Sequence, residues 1–287
     1  MSDWKYTTVD GYRTRYKDEG TGDPIVLFHG GEFGAGGADT WRDEMIDVLV
    51  AAGHRVVVVD RLGQGMTDNP RTDDDYRMSA VVAHATAFVR SLGITGATLG
   101  GQSRGAFVAS RIALENPDLC ARLVIVNSAT ISVKYPAEGV PGTLTHKTYA
   151  QTMTGDVPTD LRIMSSTFEH LTDEFVASRV EISALPKSQE ARTAFKRVAE
   201  EMYAEFEVLK NQVLKWFIGG GHRKPTLILW GVGDPTTRSS DALDLFDVMQ
   251  PHVDALRLHM INRSGHWPHR EYPVEVADEI RDFVARH

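Results

Sequence analysis

Five stretches of this chain, Pro24–His29, Arg55–Asp60, Gly96–Gly100, Arg122–Asn127 and Lys224–Trp230, are short apolar runs without polar alternation. Such runs mark strands covered on both faces, as in a mostly parallel sheet sandwiched by helices. Helical patterns lie between them. Thr40–Ala52 is closed by Gly53, Met78–Leu92 is stopped by Gly93, and Ala106–Leu114 ends at Asn116-Pro117. Tyr6–Val9 and Tyr12–Lys17 read as an opening hairpin turning at Asp10-Gly11, and Ala255–Ile261 with Val274–Ala285 closes the series. The rhythm breaks from about Ile131 to Gly221, where helical patterns and turn residues occur without a convincing buried strand. The expected organisation is therefore an α/β core of residues 1–130 and 222–287 around a helical cap, 131–221.

With 287 residues, 42% of them hydrophobic, the chain is long enough to bury a large core. Its 31 Lys and Arg against 39 Asp and Glu leave a net charge of −8. That balance argues against nucleic acid, whose phosphates need clustered cations, and against anionic membrane surfaces. The single cysteine, Cys120, excludes an internal disulfide and fits a reducing compartment. The start, Met1-Ser2-Asp3-Trp4-Lys5-Tyr6, lacks the apolar stretch of a signal peptide, and no apolar run approaches ~20 residues. The expectation is a soluble, cytoplasmic protein.

Chemistry concentrates at Gly101-Gln102-Ser103-Arg104-Gly105, between the Gly96–Gly100 strand and the helix that follows. A serine flanked by glycines at a strand-to-helix turn is the layout of a nucleophile elbow. The turn admits only small residues at 101 and 105, and the helix N-terminus favours negative charge beside Ser103. Such a serine needs a base, and the base an orienting acid, in the chain order Ser, Asp or Glu, His. Asp234, in Gly233-Asp234-Pro235 just past a buried strand, is the candidate acid, against the simpler reading of an Asp-Pro turn. His266, in Ser264-Gly265-His266-Trp267-Pro268 between the last strand and helix, is the candidate base. His29-Gly30-Gly31 opens a glycine-rich loop whose Gly30 and Gly31 can bring backbone N–H groups to an oxyanion, with the Arg104 N–H as second donor. The loop lacks the Gly-Lys-Ser/Thr ending of a P-loop and the spacing of a dinucleotide site, so nucleotide binding is discounted.

Together these motifs resemble the α/β-hydrolase fold over nearly the whole chain. Within that fold the likeness is greatest to the meta-cleavage product hydrolases, which split carbon–carbon bonds in vinylogous diketones from aromatic ring cleavage. The loop from His29 to Gly37 looks like their oxyanion loop, Gly265-His266-Trp267 like their Gly-His-Trp signature, and Leu171–Arg179 like their carboxylate-clamping segment. The resemblance implies that Arg179 holds the substrate carboxylate and that Trp267 lines the site. The alternatives are a solvated helix arginine and a core tryptophan. Three positions depart from the family. Gln102 and Arg104 stand where its members usually carry Asn and Met, and Ala38-Asp39-Thr40 lacks the expected asparagine. Gln102 retains an amide able to reach a substrate oxygen. Arg104 adds a cation that pairs with a protein carboxylate such as Glu32, or meets substrate.

The expectation is a serine hydrolase of carbon–carbon bonds built on Ser103, Asp234 and His266. Gly31, Gly30 and Arg104 form its oxyanion site, and Arg179, Trp267, Gln102 and Phe33 contact substrate. It needs no cofactor and no metal. Its partner is a small carboxylated or ester substrate, and a homodimer or higher homo-oligomer is compatible with it. A carboxylesterase with the same triad is the alternative, and a non-enzymatic ligand receptor a third reading. Dehalogenase and epoxide hydrolase chemistry would need a carboxylate at 103.

Overall fold

The computed structural model describes residues 4–134, 142–143 and 152–287. Eight strands form one sheet in the order β1-β2-β4-β3-β5-β6-β9-β10. They are β1 (Lys5–Val9), β2 (Tyr12–Glu19), β3 (Pro24–Phe28), β4 (Arg55–Val59), β5 (Ala97–Gln102), β6 (Cys120–Val126), β9 (Thr226–Gly231) and β10 (Leu256–Ile261). The hairpin β1–β2 turns at Asp10 and Gly11, both at positive φ, as a two-residue turn between twisted strands requires. β2 runs antiparallel to β4, and every pairing from β4 to β10 is parallel.

The unbroken apolar runs are explained by two cores, one on each face. In β3, Ile25 and Leu27 pack to one side with Val56, Val58, Leu227 and Leu229, under Met45, Ile280 and Phe283. Those last three come from α1 (Asp43–Ala51) and α10 (Pro273–Val284). Val26 and Phe28 face the other way with Val57, Val59, Ile125 and Ile228. There α2 (Met78–Ser91), α3 (Arg104–Glu115) and α8 (Ser239–Met249) cover them with Phe88, Phe107 and Leu245. Each fully buried Phe or Leu contributes about 1.5–3 kcal/mol, so the period-two split of a single strand stabilises both layers.

The first helix begins later than the sequence suggests. Ala38–Thr40 forms one 3-10 turn, Trp41 is extended, and α1 starts at Asp43. Trp41 is the reason: its ring is buried against His269, with centroids 4.2 Å apart, and a helical Trp41 would leave that contact. Cys120 opens β6, and burial pushes its thiol up to about 12, which leaves it unreactive.

Between β6 and β9 the chain leaves the sheet. Val133–Lys134 (β7) and Gly142–Thr143 (β8) pair as two-residue strands too short to register as periodicity. Among the described residues the helices α4 (Val157–Ile163), α5 (Asp173–Ala184), α6 (Pro186–Arg197) and α7 (Ala199–Ile218) follow. Asp156 and Thr172 cap the first two, accepting from the Thr159 and Phe175 N–H groups. A short α9 (Pro268–Glu271) precedes α10. Among the described residues no helix is long and apolar enough to cross a membrane.

Candidate active site

Ser103 stands between β5 and α3 at φ 54°. A left-handed serine is strained by about 1–3 kcal/mol and persists only where packing over-determines it. Here a Cβ on Gly101 would overlap the Gly105 carbonyl, and one on Gly105 would overlap the Phe28 carbonyl. The two glycines therefore let α3 start directly against the sheet. The Ser103 carbonyl accepts from the Ser128 hydroxyl at 2.8 Å and the Thr130 hydroxyl at 3.2 Å, which pins the turn from β6's exit.

Asp234 and His266 meet below the same strand ends. Asp234 Oδ2 and His266 Nδ1 lie 2.6 Å apart, both buried. Asp234 Oδ1 accepts from the Thr236 N–H and hydroxyl, each at 2.7 Å, and Asn127 Nδ2 donates to Oδ2 at 2.8 Å. Burial alone pushes the Asp234 carboxyl up. The charge and hydrogen bond of His266, then Asn127 and Thr236, outweigh that and hold it below the ordinary value. Asn127 was not legible as a site residue. It directly follows β6 at φ 36°, is fully buried, and its Oδ1 also takes the Gly231 N–H at 2.7 Å. The available signal was a polar residue closing an apolar strand, Val-Ile-Val-Asn127.

The serine and the Asp234–His266 pair are brought to neighbouring loops without being hydrogen-bonded. Gln102 Nε2 donates to the His266 carbonyl at 3.0 Å, so the residue next to Ser103 holds the histidine loop. Among the described residues no hydrogen bond joins the Ser103 hydroxyl to the His266 ring. Bonds of this kind commonly tighten only when substrate is present. The histidine loop is also held from behind. Glu271 accepts from the Gly265 N–H at 2.8 Å and the Ser264 hydroxyl at 3.1 Å, and its other oxygen takes the Ser166 and Thr167 N–H groups at 2.9 and 2.8 Å. The His266 N–H donates to the Met164 carbonyl at 2.8 Å.

Across from the elbow, His29 shapes the glycine loop. Its Nε2 accepts the Arg61 N–H at 3.1 Å, which fixes the proton on Nδ1, and Nδ1 then donates to the Gly30 carbonyl at 2.7 Å. Burial, reinforced by the Arg61 charge, pushes the ring well below its ordinary value, so this tautomer is neutral. A trans peptide with its carbonyl held on one side presents its N–H, that of Gly31, on the other. The next carbonyl, that of Gly31, accepts from Arg61 Nη2 at 2.8 Å and Gln64 Nε2 at 3.0 Å. The Arg104 N–H is the first of α3, where helix geometry aims donors out of the N-terminus. The Arg104 side chain turns away and pairs with Glu32, with the Tyr203 hydroxyl donating to the same Glu32 oxygen at 2.7 Å.

A cavity of about 600 Å³ lies beside these residues, lined by the chain neighbours Gln102 and Trp267 rather than by Ser103 and His266 themselves. Gly30, Gly31, Phe33 and Gln102 line its sheet side, Trp267 one flank, and Leu161, Met164, Phe175, Arg179, Arg192 and Phe195 the helical side. Phe33 packs against Tyr76 and Phe195, with centroids 4.9 and 5.7 Å away. Trp267 is half-buried, 6.4 Å from the His266 ring. Arg179 is buried and paired with Asp39, in the stretch that lacks the expected asparagine. Burial, with the neighbouring Arg270 and Arg15, lowers it to about 9. Among the described residues no group of three or more His, Cys, Asp or Glu is placed to hold a metal ion.

A strained serine at a strand-to-helix turn, with a buried Asp–His pair on the loops that follow other parallel strands of the same sheet, defines a class. A family model described as alpha/beta hydrolase fold matches residues 23–273, and the chain belongs to that family. It is a hydrolase. Its curated relatives narrow the comparison further. The chain is 28% identical to a 2-hydroxy-6-oxononadienedioate/2-hydroxy-6-oxononatrienedioate hydrolase of Burkholderia vietnamiensis, over 98% of this chain and 96% of that one. It is 26% identical to a 2-hydroxymuconate semialdehyde hydrolase of Pseudomonas sp. strain CF600, covering 96% and 91%. The crystal structure of a meta-cleavage product hydrolase from Pseudomonas fluorescens IP01, complexed with acetates, superposes with a TM-score of 0.78 at 25% identity, covering 98% and 97%.

Proposed function

We propose that this hydrolase cleaves a carbon–carbon bond in a carboxylated vinylogous diketone, the type of ring-cleavage product named for its relatives, with Ser103, His266 and Asp234 as its catalytic groups. The observation that carries the reading is the buried Asp234–His266 pair at 2.6 Å, held by Gln102 beside the elbow serine. The dienol is first ketonised in the cavity. His266 Nε2 then takes the proton of the attacking hydroxyl, from Ser103 or from a water, as that oxygen adds to the ketone carbon. The Gly31 and Arg104 N–H groups hold the resulting oxyanion. On collapse the carbon–carbon bond breaks, its electron pair runs through the unsaturated chain to the oxygen beside the carboxylate as a dienolate, and the proton on His266 goes to that oxygen. Where Ser103 attacks, a water deprotonated by His266 then hydrolyses the acyl-serine ester and Ser103 regains its proton; by either route one water is consumed, and a carboxylic acid and a dienol acid are released. Asp234 fixes the His266 tautomer and stabilises its cation throughout. The helices of residues 131–221 act as a cap that shields this chemistry from bulk water.

The second reading is a carboxylesterase. It is favoured by the Arg179–Asp39 pair, which gives the Arg179 guanidinium an anion of the protein's own. Purified protein assayed on dienol ketone acids and on small esters separates the two, and turnover of esters alone refutes the first. Ser103→Ala is expected to lower turnover of either substrate by at least ~10³-fold while leaving binding intact. A variant that still turns over at near the starting rate would remove Ser103 from the mechanism.

A further inference from the structure

The Arg179 guanidinium already has an anion. Asp39 pairs with it inside the protein, and Asp39 Oδ1 is buried without a hydrogen-bond partner. Arg15 Nη2 also lies 4.0 Å from that oxygen, so a substrate carboxylate brought to Arg179 would have to share the guanidinium with an anion already built into the protein. The cavity wall carries two other cations, Arg192 and Lys196, four residues apart on α6 and so on one helical face. Among the described residues neither takes part in an ion pair. Arg192 Nη1 donates to the Gly34 carbonyl at 2.9 Å and Nη2 to the Ser183 carbonyl. These neutral acceptors orient the guanidinium and leave its charge in place. Gly34, at φ +74°, makes this possible: any Cβ there would press on the Arg192 stem and the Ser188 carbonyl. The cation is thereby fastened to the same loop that carries Gly30 and Gly31.

We infer that Arg192, assisted by Lys196 at the cavity mouth, is the residue that receives the substrate carboxylate, and that the Arg179–Asp39 pair is a structural tie between α5 and the glycine loop. This rests on the proposed function for the presence of a carboxylate, and it relocates the group that recognises it. An arginine with two donors already aligned on backbone carbonyls presents its remaining N–H groups as a rigid edge, suited to a planar carboxylate. Lys196 is exposed, so its share is the smaller.

The test compares wild type, Arg192→Gln, Lys196→Gln and the paired Arg179→Gln/Asp39→Asn, which removes both charges together. Each is assayed on a dienol ketone acid and on two esters, the mono-para-nitrophenyl ester of glutaric acid and neutral para-nitrophenyl butyrate. Wild type should prefer the acidic ester. Arg192→Gln should raise KM for both carboxylated substrates roughly 10- to 100-fold and erase that preference, as loss of a charged hydrogen bond does. Lys196→Gln should raise it by a few fold, and the paired variant should keep the preference. Loss of the preference in the paired variant with its retention in Arg192→Gln overturns the inference, as does a wild type that shows none. Turnover of esters without the dienol acid refutes the carbon–carbon reading alone, because the ester pair still decides where the carboxylate binds.

Discussion

His29 offers the sharpest test of how the oxyanion site is built, because two isosteres divide its two hydrogen bonds. Asn places its Nδ2 where histidine has Nδ1, so His29→Asn keeps the donor to the Gly30 carbonyl and loses the acceptor for the Arg61 N–H. Gln reaches the Nε2 position, so His29→Gln keeps the Arg61 contact and loses the Gly30 one. The Gly30 bond is 2.7 Å long and partly buried, and the Arg61 bond is 3.1 Å long and buried. Each variant should lose a comparable ~1–3 kcal/mol of stability for one unsatisfied buried group. Catalysis should not divide evenly. Removing an oxyanion donor altogether lowers kcat by ~10²–10³, and releasing the peptide that carries it is a partial version of that loss. His29→Gln is therefore expected to lower kcat by about 10–100-fold with little change in KM, and His29→Asn by only a few fold. Steady-state kinetics at matched folded fraction, with thermal melts alongside, read both effects. Because the ring is neutral, neither variant should move the pH profile. Equal kcat losses in the two variants, or an unaffected kcat in His29→Gln, would refute the argument that His29 aims the Gly31 N–H.

Asp234 is held below the ordinary carboxylate value, so its contribution to stability is present above about pH 4 and is lost only as pH falls through its folded value. Asn127→Ala should destabilise the protein by ~2–4 kcal/mol at neutral pH, from one charged bond and an orphaned Gly231 N–H. Melts at neutral and strongly acid pH should show that deficit shrinking once Asp234 is protonated in both forms, and a constant deficit would contradict the assignment. Glu271→Gln should lower stability by about 1.5–3 kcal/mol and lower kcat, since the loop bearing His266 loses its anionic anchor. A melt and a single-turnover measurement check both, and unchanged kcat would confine Glu271 to a structural role.

Much of this was legible because local chemistry and tertiary structure agree. The apolar runs mark doubly covered strands, and the glycines about Ser103 mark a turn that nothing larger could make. The first helix was misjudged because Trp41 is dictated by a contact with His269, more than two hundred residues away. Asn127, Thr236 and Glu271 escaped for the same reason: each acts through a partner supplied by another part of the chain. Arg104 was left between two partners, and the structure brings it to Glu32. Which arginine lacks a counter-ion cannot be read from a sequence at all, because Asp39 and Arg179 are 140 positions apart.

Glu271 divides its two oxygens between the loop that carries His266 and residues 166–167 at the foot of the helices over the cavity. One carboxylate thus joins the helices to the sheet beside the histidine. On the far side of the cavity the joining falls to Arg192 on the Gly34 carbonyl, Lys187 on the Gly65 carbonyl and the Asn69 amide on the Lys187 carbonyl. The cover is tied down on both flanks, so a substitution that frees one flank leaves the other fastened.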